Sequence, residues 1–459
     1  MSFLALEIAR NALTANRQAM DVAAQNVANA STPGYVRQRA LLAPLTNASA
    51  GGAAQAGLGV QVADVQRLRD QCLEAQIGHQ EGALGHEQAL SASLARVEGI
   101  FPDLDGNGIT SALGRMFDAL QRLQTSPDSL TARREVLSEA GSLCDQFHET
   151  AHQLAAEAST LERELDRTVS RANQLLQQVG ELNGQITAAG GGSTTNDLRV
   201  TREQAIRELG NLCGAMGLDE PDGSQSVLIG GIRLVQGSSI TPLALVSAAG
   251  APSRHYLAVG TLTDLDGLSG RVGGLLQARD GALGSWQAHL DNLAATLADA
   301  LNAAHGAGFD LNGRSGGEAL TYEPGAAAST LAVAPALASD PRLLAAAGAV
   351  GGSPGDGMNA GAMAAVREAR LFGGGSQTAE EFHADLLQEV GASAQRSTDA
   401  VAAREVLLQS LDGQYASQAG VSLDEEAVDI MRYQQAYNAS VKLVQTALEM
   451  LDELLALAR

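Results

Sequence analysis

The sequence predicts a mainly α fold: a long helical rod with coiled-coil-like paired terminal helices and a small mid-chain β unit. Three observations carry that reading. Apolar residues recur every seven positions at both ends of the 459-residue chain and again in its middle. Hydrophobic residues reach 45% while aromatics are only 3%, and an Ala-rich chain poor in aromatics reads as long helices rather than a large globular core. Strand-like texture is confined to one stretch, 227–259.

Taken in order, the first helix carries Leu6, Leu13, Met20 and Val27 at heptad spacing, with Ala9, Asn16 and Ala23 between them, and should stop near Asn29. Thr32-Pro33-Gly34 supplies Pro at the second and Gly at the third position of a type II turn that reverses the chain into Tyr35. Shorter helices are expected over 65–98, 109–123 and 198–216. The longest seam runs between them: Cys144, Ala151, Ala158, Leu165, Ala172, Val179 and Ile186 interleave with Phe147, Leu154, Leu161, Thr168, Leu175 and Leu182. It would extend about 65 Å at about 1.5 Å per residue.

Val227-Leu228-Ile229, Ile232-Arg233-Leu234-Val235 and Tyr256-Leu257-Ala258-Val259, separated by Gly-Gly and Pro, read as strands. Helical periodicity returns over 275–304 and again over 379–409, on either side of a Gly/Ala-rich, turn-laden stretch. Ser422-Leu423-Asp424-Glu425 is a capping box. Behind it Leu423, Ile430, Tyr437, Val444 and Leu451 repeat every seven, interleaved with Ala427, Gln434, Val441, Leu448 and Leu455. The expected organisation is 1–60 and 420–459 as the two halves of a terminal coiled-coil domain, 61–217 and 271–419 as the outgoing and returning parts of the rod, and 218–270 as the β unit.

Composition removes several function classes. The 30 basic and 52 acidic residues give a net charge of −22, whereas a nucleic-acid binder needs a basic face. Lys442 is the only lysine and follows Val441, so there is no Gly-Lys-Ser/Thr phosphate loop and little scope for Schiff-base chemistry. Cys72, Cys144 and Cys213 are odd in number and far apart, which encodes neither a disulfide framework nor a Cys-based zinc site. No apolar run is long enough to span a membrane. Glu7 arrives too early for a Sec signal peptide.

Four local motifs suggest chemistry, and each has a plainer explanation. His148-Glu149-Thr150-Ala151-His152 matches HExxH, the metalloprotease pattern. Phe147 and Ala151 belong to the long seam, however, which puts His148 on its flank and His152 on the exposed side, without a third ligand at metzincin spacing. Asp103 to Gly108 copies the first half of an EF-hand loop, but Gly114 stands where the bidentate Glu is needed. Gly-x-Ser-x-Gly occurs at 313–317 and 351–355. Pro354 denies Ser353 an oxyanion-hole N–H, and Ser315 follows a turn rather than a strand.

Asn26-Val27-Ala28-Asn29-Ala30-Ser31-Thr32-Pro33-Gly34-Tyr35 resembles the N-terminal signature of the flagellar rod, hook and hook-associated protein family. Gly420-Val421-Ser422-Leu423-Asp424-Glu425-Glu426, with Tyr433-Gln434-Gln435-Ala436-Tyr437, resembles its C-terminal signature. Phe309-Asp310-Leu311-Asn312-Gly313, behind a helix opening Gly273-Gly274-Leu275-Leu276, and Ser126-Pro127-Asp128 with Ala132-Arg133-Arg134-Glu135-Val136-Leu137 are similar to the hook-associated branch.

The resemblance implies an extracellular structural protein, not an enzyme, that joins hook to filament, needs no cofactor or metal, and leaves the cell through the flagellar type III channel. Its implied partners are further copies of itself in a ring-like assembly, the hook protein, the next hook-associated protein on the filament side, and an export chaperone at the C-terminal helix; nucleic acid and membrane insertion are not among them. The assembly residues expected are the seam positions Leu6, Leu13, Met20, Val27, Leu423, Ile430, Tyr437, Val441, Val444, Leu448 and Leu451, with the turn Asn29, Thr32, Pro33, Gly34 and Tyr35. Relatives with an outer β domain carry it between the Asp-Leu-Asn-Gly motif and an Asp-Pro helix resembling Asp340-Pro341-Arg342. Only 314–339 lies between those motifs here, so that domain is expected to be missing or vestigial. The alternatives are an HExxH zinc metalloprotease or another hook or rod protein of the same family.

Overall fold

The computed structural model describes residues 2–32, 35–45, 57–101, 108–190, 195–248, 251–259, 262–263, 268–351 and 355–457. The chain opens with α1 (Ser2–Ala28), a hairpin of β1 (Gln38–Pro44) and β2 (Val60–Arg67), then α2 (Gln71–Glu98), α3 (Ile109–Thr125), α4 (Leu130–Ala188) and α5 (Asn196–Cys213). A β unit follows, with β3 (Met216–Asp219), β4 (Gln225–Ile229), β5 (Ile232–Gln236) and β6 (Ser239–Ile240) in one antiparallel sheet. The other sheet holds β7 (Leu243–Ala248), β8 (Ala251–Val259) and β9 (Leu262–Thr263). The return path is α6 (Gly270–Leu276), a π-helical stretch Gln277–Leu283 and α7 (Gly284–Ala307). Short elements β10 (Leu320–Thr321), α8 (Ala327–Thr330), β11 (Ala332–Val333), α9 (Pro335–Ser339) and α10 (Met358–Ala364) precede α11 (Ala379–Ala419) and α12 (Leu423–Leu457).

The 59-residue α4 is the spine of the rod, about 89 Å long at about 1.5 Å per residue. Ser129 caps it by accepting from the Ala132 N–H, and the heptad residues from Cys144 to Ile186 are buried against α3, α5, α6 and α7, Ala158 only partly. The helices α2 and α11 run beside it as a second pair. A capping box at Thr378 and Glu381 starts α11.

Helical asparagines fasten the strands. Asn183 on α4, wholly buried, donates to the Gln225 carbonyl at 2.8 Å and accepts from the Gln225 N–H at 3.0 Å. Asn173 treats Leu243 in the same way, with both bonds at 2.9 Å. Asn302 on α7 does so for Leu320, at 2.8 and 2.9 Å. In each case the amide satisfies both backbone groups of the first residue of a strand, as a neighbouring strand would.

The helix expected over 198–216 stops at Cys213, where Gly214 turns the chain in the left-handed conformation, and Met216 opens β3. A helix was expected from Val65, yet Val65 sits in β2, and α2 begins only after Asp70, whose carboxylate accepts from the Cys72 and Leu73 N–H groups at 3.0 Å. The alternation Val60, Val62 is the strand signal; a register shift at Leu41/Leu42 interrupts it and hides the hairpin from simple periodicity.

The Gly/Ala-rich stretch after α7 forms a polar knot at one end of the rod. Arg133, 1% exposed, donates to the carbonyls of Pro127 (2.8 Å) and Leu344. His305 makes two bonds, Nδ1–H to the Gly317 carbonyl at 2.7 Å and Nε2 from the Ala345 N–H at 2.9 Å. The Phe309 and Leu311 N–H groups donate to the Ala347 and Arg342 carbonyls at 2.8 and 3.1 Å, so segments 126–133, 309–314 and 340–347 meet. The stretch 314–339 holds β10, α8, β11 and α9, and α8 packs on α4 and α7.

Where α2, α5 and α6 cross, the backbones touch. A Cβ on Gly274 would overlap the His86 carbonyl, and one on Gly270 the backbone of Cys213 and Gly214. Gly184 on α4, by contrast, faces open space. Replacing Gly274 with Ala should therefore lower the stability of the main unfolding transition by about 1–3 kcal/mol through overpacking, whereas Gly184→Ala should raise it by about 0.5–1 kcal/mol. Denaturant titration of the two variants checks the pair.

Burial lowers the pKa of His305 below its ordinary 6.5, and the bond from the Ala345 N–H needs the neutral ring. The unfolded chain thus binds a proton that the folded chain refuses. Stability from this group is fully present above about pH 6.5 and is lost as pH falls below it, by at most about 1.4 kcal/mol per pH unit. Melting measured from pH 7.5 down to 5.5 should show a shallower slope in His305→Gln than in the parent.

Candidate assembly interface

The helices α1 and α12 pack together along their length, and the β1–β2 hairpin lies against another side of α1. Being covered from two directions, α1 buries its small side chains: Ala9, Ala15, Asn16, Ala19, Ala23 and Asn26. On α12 the buried positions are Glu426, Ser440 and Ala447, with Ile430, Tyr433, Tyr437, Val444 and Leu451 half-buried in the same three-four rhythm. Small residues on both sides let the helix backbones approach.

The seam drawn from the sequence is thus rotated. Leu6, Leu13, Met20 and Val441 are half-buried at its rim, while Val27 (38% exposed), Leu423 (56%) and Leu448 (46%) face outward. A strict a/d register presumes one partner per helix; the hairpin is a second partner for α1 and turns its contact face toward the alanines.

At the upper end of this pair the two sequence signatures hold each other. Asn26, 1% exposed, donates to the Gln38 carbonyl at 2.7 Å and to Glu426 Oε2 at 3.0 Å. Its Oδ1 accepts from the Gln38 N–H at 3.0 Å and from the Tyr35 hydroxyl at 2.9 Å. All the bonding capacity of the amide is used, and Gln38 is again the first residue of a strand. Arg37 donates to Glu426 Oε1 and Glu425 Oε2, each at 2.6 Å. Asn196 Nδ2 reaches Gln38 Oε1 at 3.1 Å and brings α5 into the clasp.

Burial, followed by the charges of Glu426 and Asp197, pushes the Tyr35 phenol up to about 12, so it stays a donor. Burial alone would lower the Arg37 guanidinium, but its bonds to Glu425 and Glu426 outweigh that and raise it.

Of the signature turn, Asn29 donates to the Gln25 carbonyl at 3.0 Å, Thr32 to Asn29 Oδ1 at 3.3 Å, and the Tyr35 N–H to the Thr32 carbonyl at 3.1 Å. Pro33 and Gly34, and with them the turn type, lie outside the described residues. The sequence reading missed Asn26, Arg37, Gln38 and Glu426 as a unit. Asn26 lies one position before Val27, off the heptad seam, so the apolar stripe drawn from the sequence did not contain it.

A second polar tie anchors the hairpin to the rod. Arg67 pairs with Glu203 on α5, and Arg69 pairs with Glu74 on α2 and reaches Glu203 at 3.1 Å. The Tyr415 hydroxyl of α11 donates to Glu74 at 2.7 Å.

The other motifs do not assemble into sites. His148 is half-buried and His152 exposed on α4, and among the described residues no three His, Cys, Asp or Glu side chains group to hold a metal. The EF-hand-like residues 103–107 and Ser353 with Pro354 lie outside the described residues, and Ser315 pairs with Phe309 in an isolated bridge. Cys144 and Cys213 are buried, which raises each thiol to about 12, and Cys72 is exposed. No helix of the described residues is long and apolar enough to cross a membrane.

Comparison with known proteins matches the flagellar hook-associated protein FlgK helical domain over 94–320. It also matches the flagellar basal body rod FlgEFG protein C-terminal model over 413–457 and the flagella basal body rod protein model over 6–35. Flagellar hook-associated protein 1 of Bacillus subtilis is 28% identical over 99% of this chain and 98% of its own length. The Salmonella typhimurium protein of the same name is 29% identical over 67% of this chain but only 57% of its own length. The flagellar hook junction protein FlgK from Burkholderia pseudomallei shares the fold, with a TM-score of 0.67 at 16% identity over 76% of this chain and all of that one.

Replacing Asn26 with Leu strips the clasp of its amide and leaves buried partners unpaired, at about 1–3 kcal/mol for each such group. Trypsin should then cut at Arg17 and Arg432 at least about tenfold faster, since local opening governs cleavage, while the main melting transition of the rod stays in place. Cleavage at the parental rate would show that the clasp does not hold the helix pair.

Proposed function

We infer, for a chain that belongs to the flagellar rod, hook and hook-associated protein family, a structural role at the junction between hook and filament. The observation that carries the reading is the clasp. Signature residues from the two ends, Asn26 and Glu426, lie 400 positions apart and close on each other in a buried bond, so that both termini form one helical unit at one end of the rod. That unit leaves apolar side chains uncovered: Val27, Leu423, Met431, Leu443, Leu448 and Met450 are all exposed. Covering what remains exposed of each by a neighbouring subunit would contribute roughly half of the about 1.5–3 kcal/mol that a whole side chain gives. Large exposed apolar stripes on a helix mark an interaction surface.

The seam positions that face outward are therefore assembly residues between copies, and those that face inward set the shape of the single subunit. On this reading the chain forms a ring-like assembly, meets the hook protein on one side and the next hook-associated protein on the other, and presents α12 to an export chaperone beforehand. It works outside the cell, reaches its place through the flagellar type III channel, and performs no catalysis.

The test uses cells whose sole copy carries Met431→Asp with Leu443→Asp. Both side chains are exposed, so helicity and trypsin protection of the purified chain should match the parent. The cells should build hooks and shed filament subunits into the medium. Normal filaments would overturn the reading.

A further inference from the structure

Beside the clasp lies a groove of about 470 Å³, lined by Arg37, Arg39 and Leu68 on the hairpin side and by Asp424, Glu425, Val428 and Asp429 on the first turns of α12. Its walls carry opposite charge. Arg37 is already engaged by Glu425 and Glu426, but among the described residues neither Arg39 nor Asp424 has an ion-pair partner, and Val428 between them is 58% exposed.

We propose that this groove receives the outward face of α1 of a second copy of the chain, with Arg17 set against the acidic wall and Asp21 against Arg39. The inference rests on the junction reading above and names the contact by which adjacent subunits join. Three observations select the occupant. First, a ring requires a heterologous contact, two different faces of the same subunit meeting head to tail. The helix pair offers two such faces, the α12 side with the groove and the far side of α1. Second, the groove offers one unpaired charge of each sign among the described residues, Arg39 and Asp424, so its occupant must bring an anion and a cation together. Third, the outward side of α1 carries a cation and an anion one turn apart, Arg17 and Asp21, 4.0 Å from each other and exposed by 74% and 68%. That spacing presents both signs to the two walls at once. The groove also adjoins the uncovered apolar side chains Leu423 and Met431 of α12, so one approach covers both.

The experiment uses full-length chains as the only copy in the cell. Arg39→Glu and Asp21→Arg, made singly, should each reduce the fraction of cells bearing filaments by about tenfold or more, because each sets like charges together. The double reversal should return the fraction to within about twofold of the parent. In a second arm, cells make one Cys72→Ser copy with Asp21→Cys and one Cys72→Ser copy with Arg39→Cys. Mild oxidation of isolated flagella should yield a band of doubled mass, absent when either new cysteine is left out.

Single reversals that leave filaments normal, or a double reversal as defective as the singles together with no doubled band, would overturn the proposal. These outcomes are separable from failure of the junction reading. In that case cells carrying Met431→Asp with Leu443→Asp would also keep their filaments, whereas failure of the groove alone leaves that variant defective.

Discussion

Burying a carboxylate and a carboxamide is tolerable only where every polar atom finds a partner, and the clasp around Asn26 and Glu426 meets that condition in one register alone. Sliding α1 along α12 by a residue would leave the amide, the Gln38 backbone and the Glu426 carboxylate unpaired inside the contact. The rest of the terminal unit follows from this constraint. The hairpin must leave α1 where Gln38 can pair with Asn26, α12 must start where Arg37 can reach Glu425 and Glu426, and the helices between must meet through alanine and serine. Val27, Leu423, Met431, Leu443, Leu448 and Met450 are thereby left on the outside.

The clasp is one use of a device that recurs through the molecule. Asn26, Asn173, Asn183 and Asn302 each stand on a helix and close both backbone bonds of a residue that opens a strand: Gln38, Leu243, Gln225 and Leu320. Short strands leave many backbone groups unpaired at their ends, and a helical amide replaces the missing neighbour. A rod with little sheet of its own can in this way hold small β elements on its flank without a second hydrophobic core.

Much of this was legible in the sequence. The seam from Cys144 to Ile186 is the buried face of α4, because a long helix packed along one side obeys simple periodicity. The strands at 227–229 and 232–235 stand where β-branched residues between glycines put them. The hairpin 38–67 was not legible, since its alternation is short and interrupted at Leu41/Leu42. Neither was the rotation of the terminal seam, which depends on a second neighbour for α1 that no heptad count contains. The clasp lay half in view: its residues sit inside the two signatures, but which of them touch is decided by pairing across 400 positions, a distance at which local pattern carries no information.

That distance also orders the events of folding. Closing a loop costs more the longer it is, roughly as (3/2)RT ln n. Once the rod has folded, Tyr415 is held at Glu74 beside Arg69, and the free path between the two halves of the clasp shrinks from 400 residues to roughly 50, an entropic saving of about 1.8 kcal/mol. Among the described hydrogen bonds the clasp closes the longest loop, and it is the natural last step. A copy truncated before Glu426, or one whose middle has not yet folded, has no means of bringing its ends into register. Closure of the termini thus acts as an inspection of the chain: the paired face of α1 and α12 exists only on molecules whose two ends and middle have all folded.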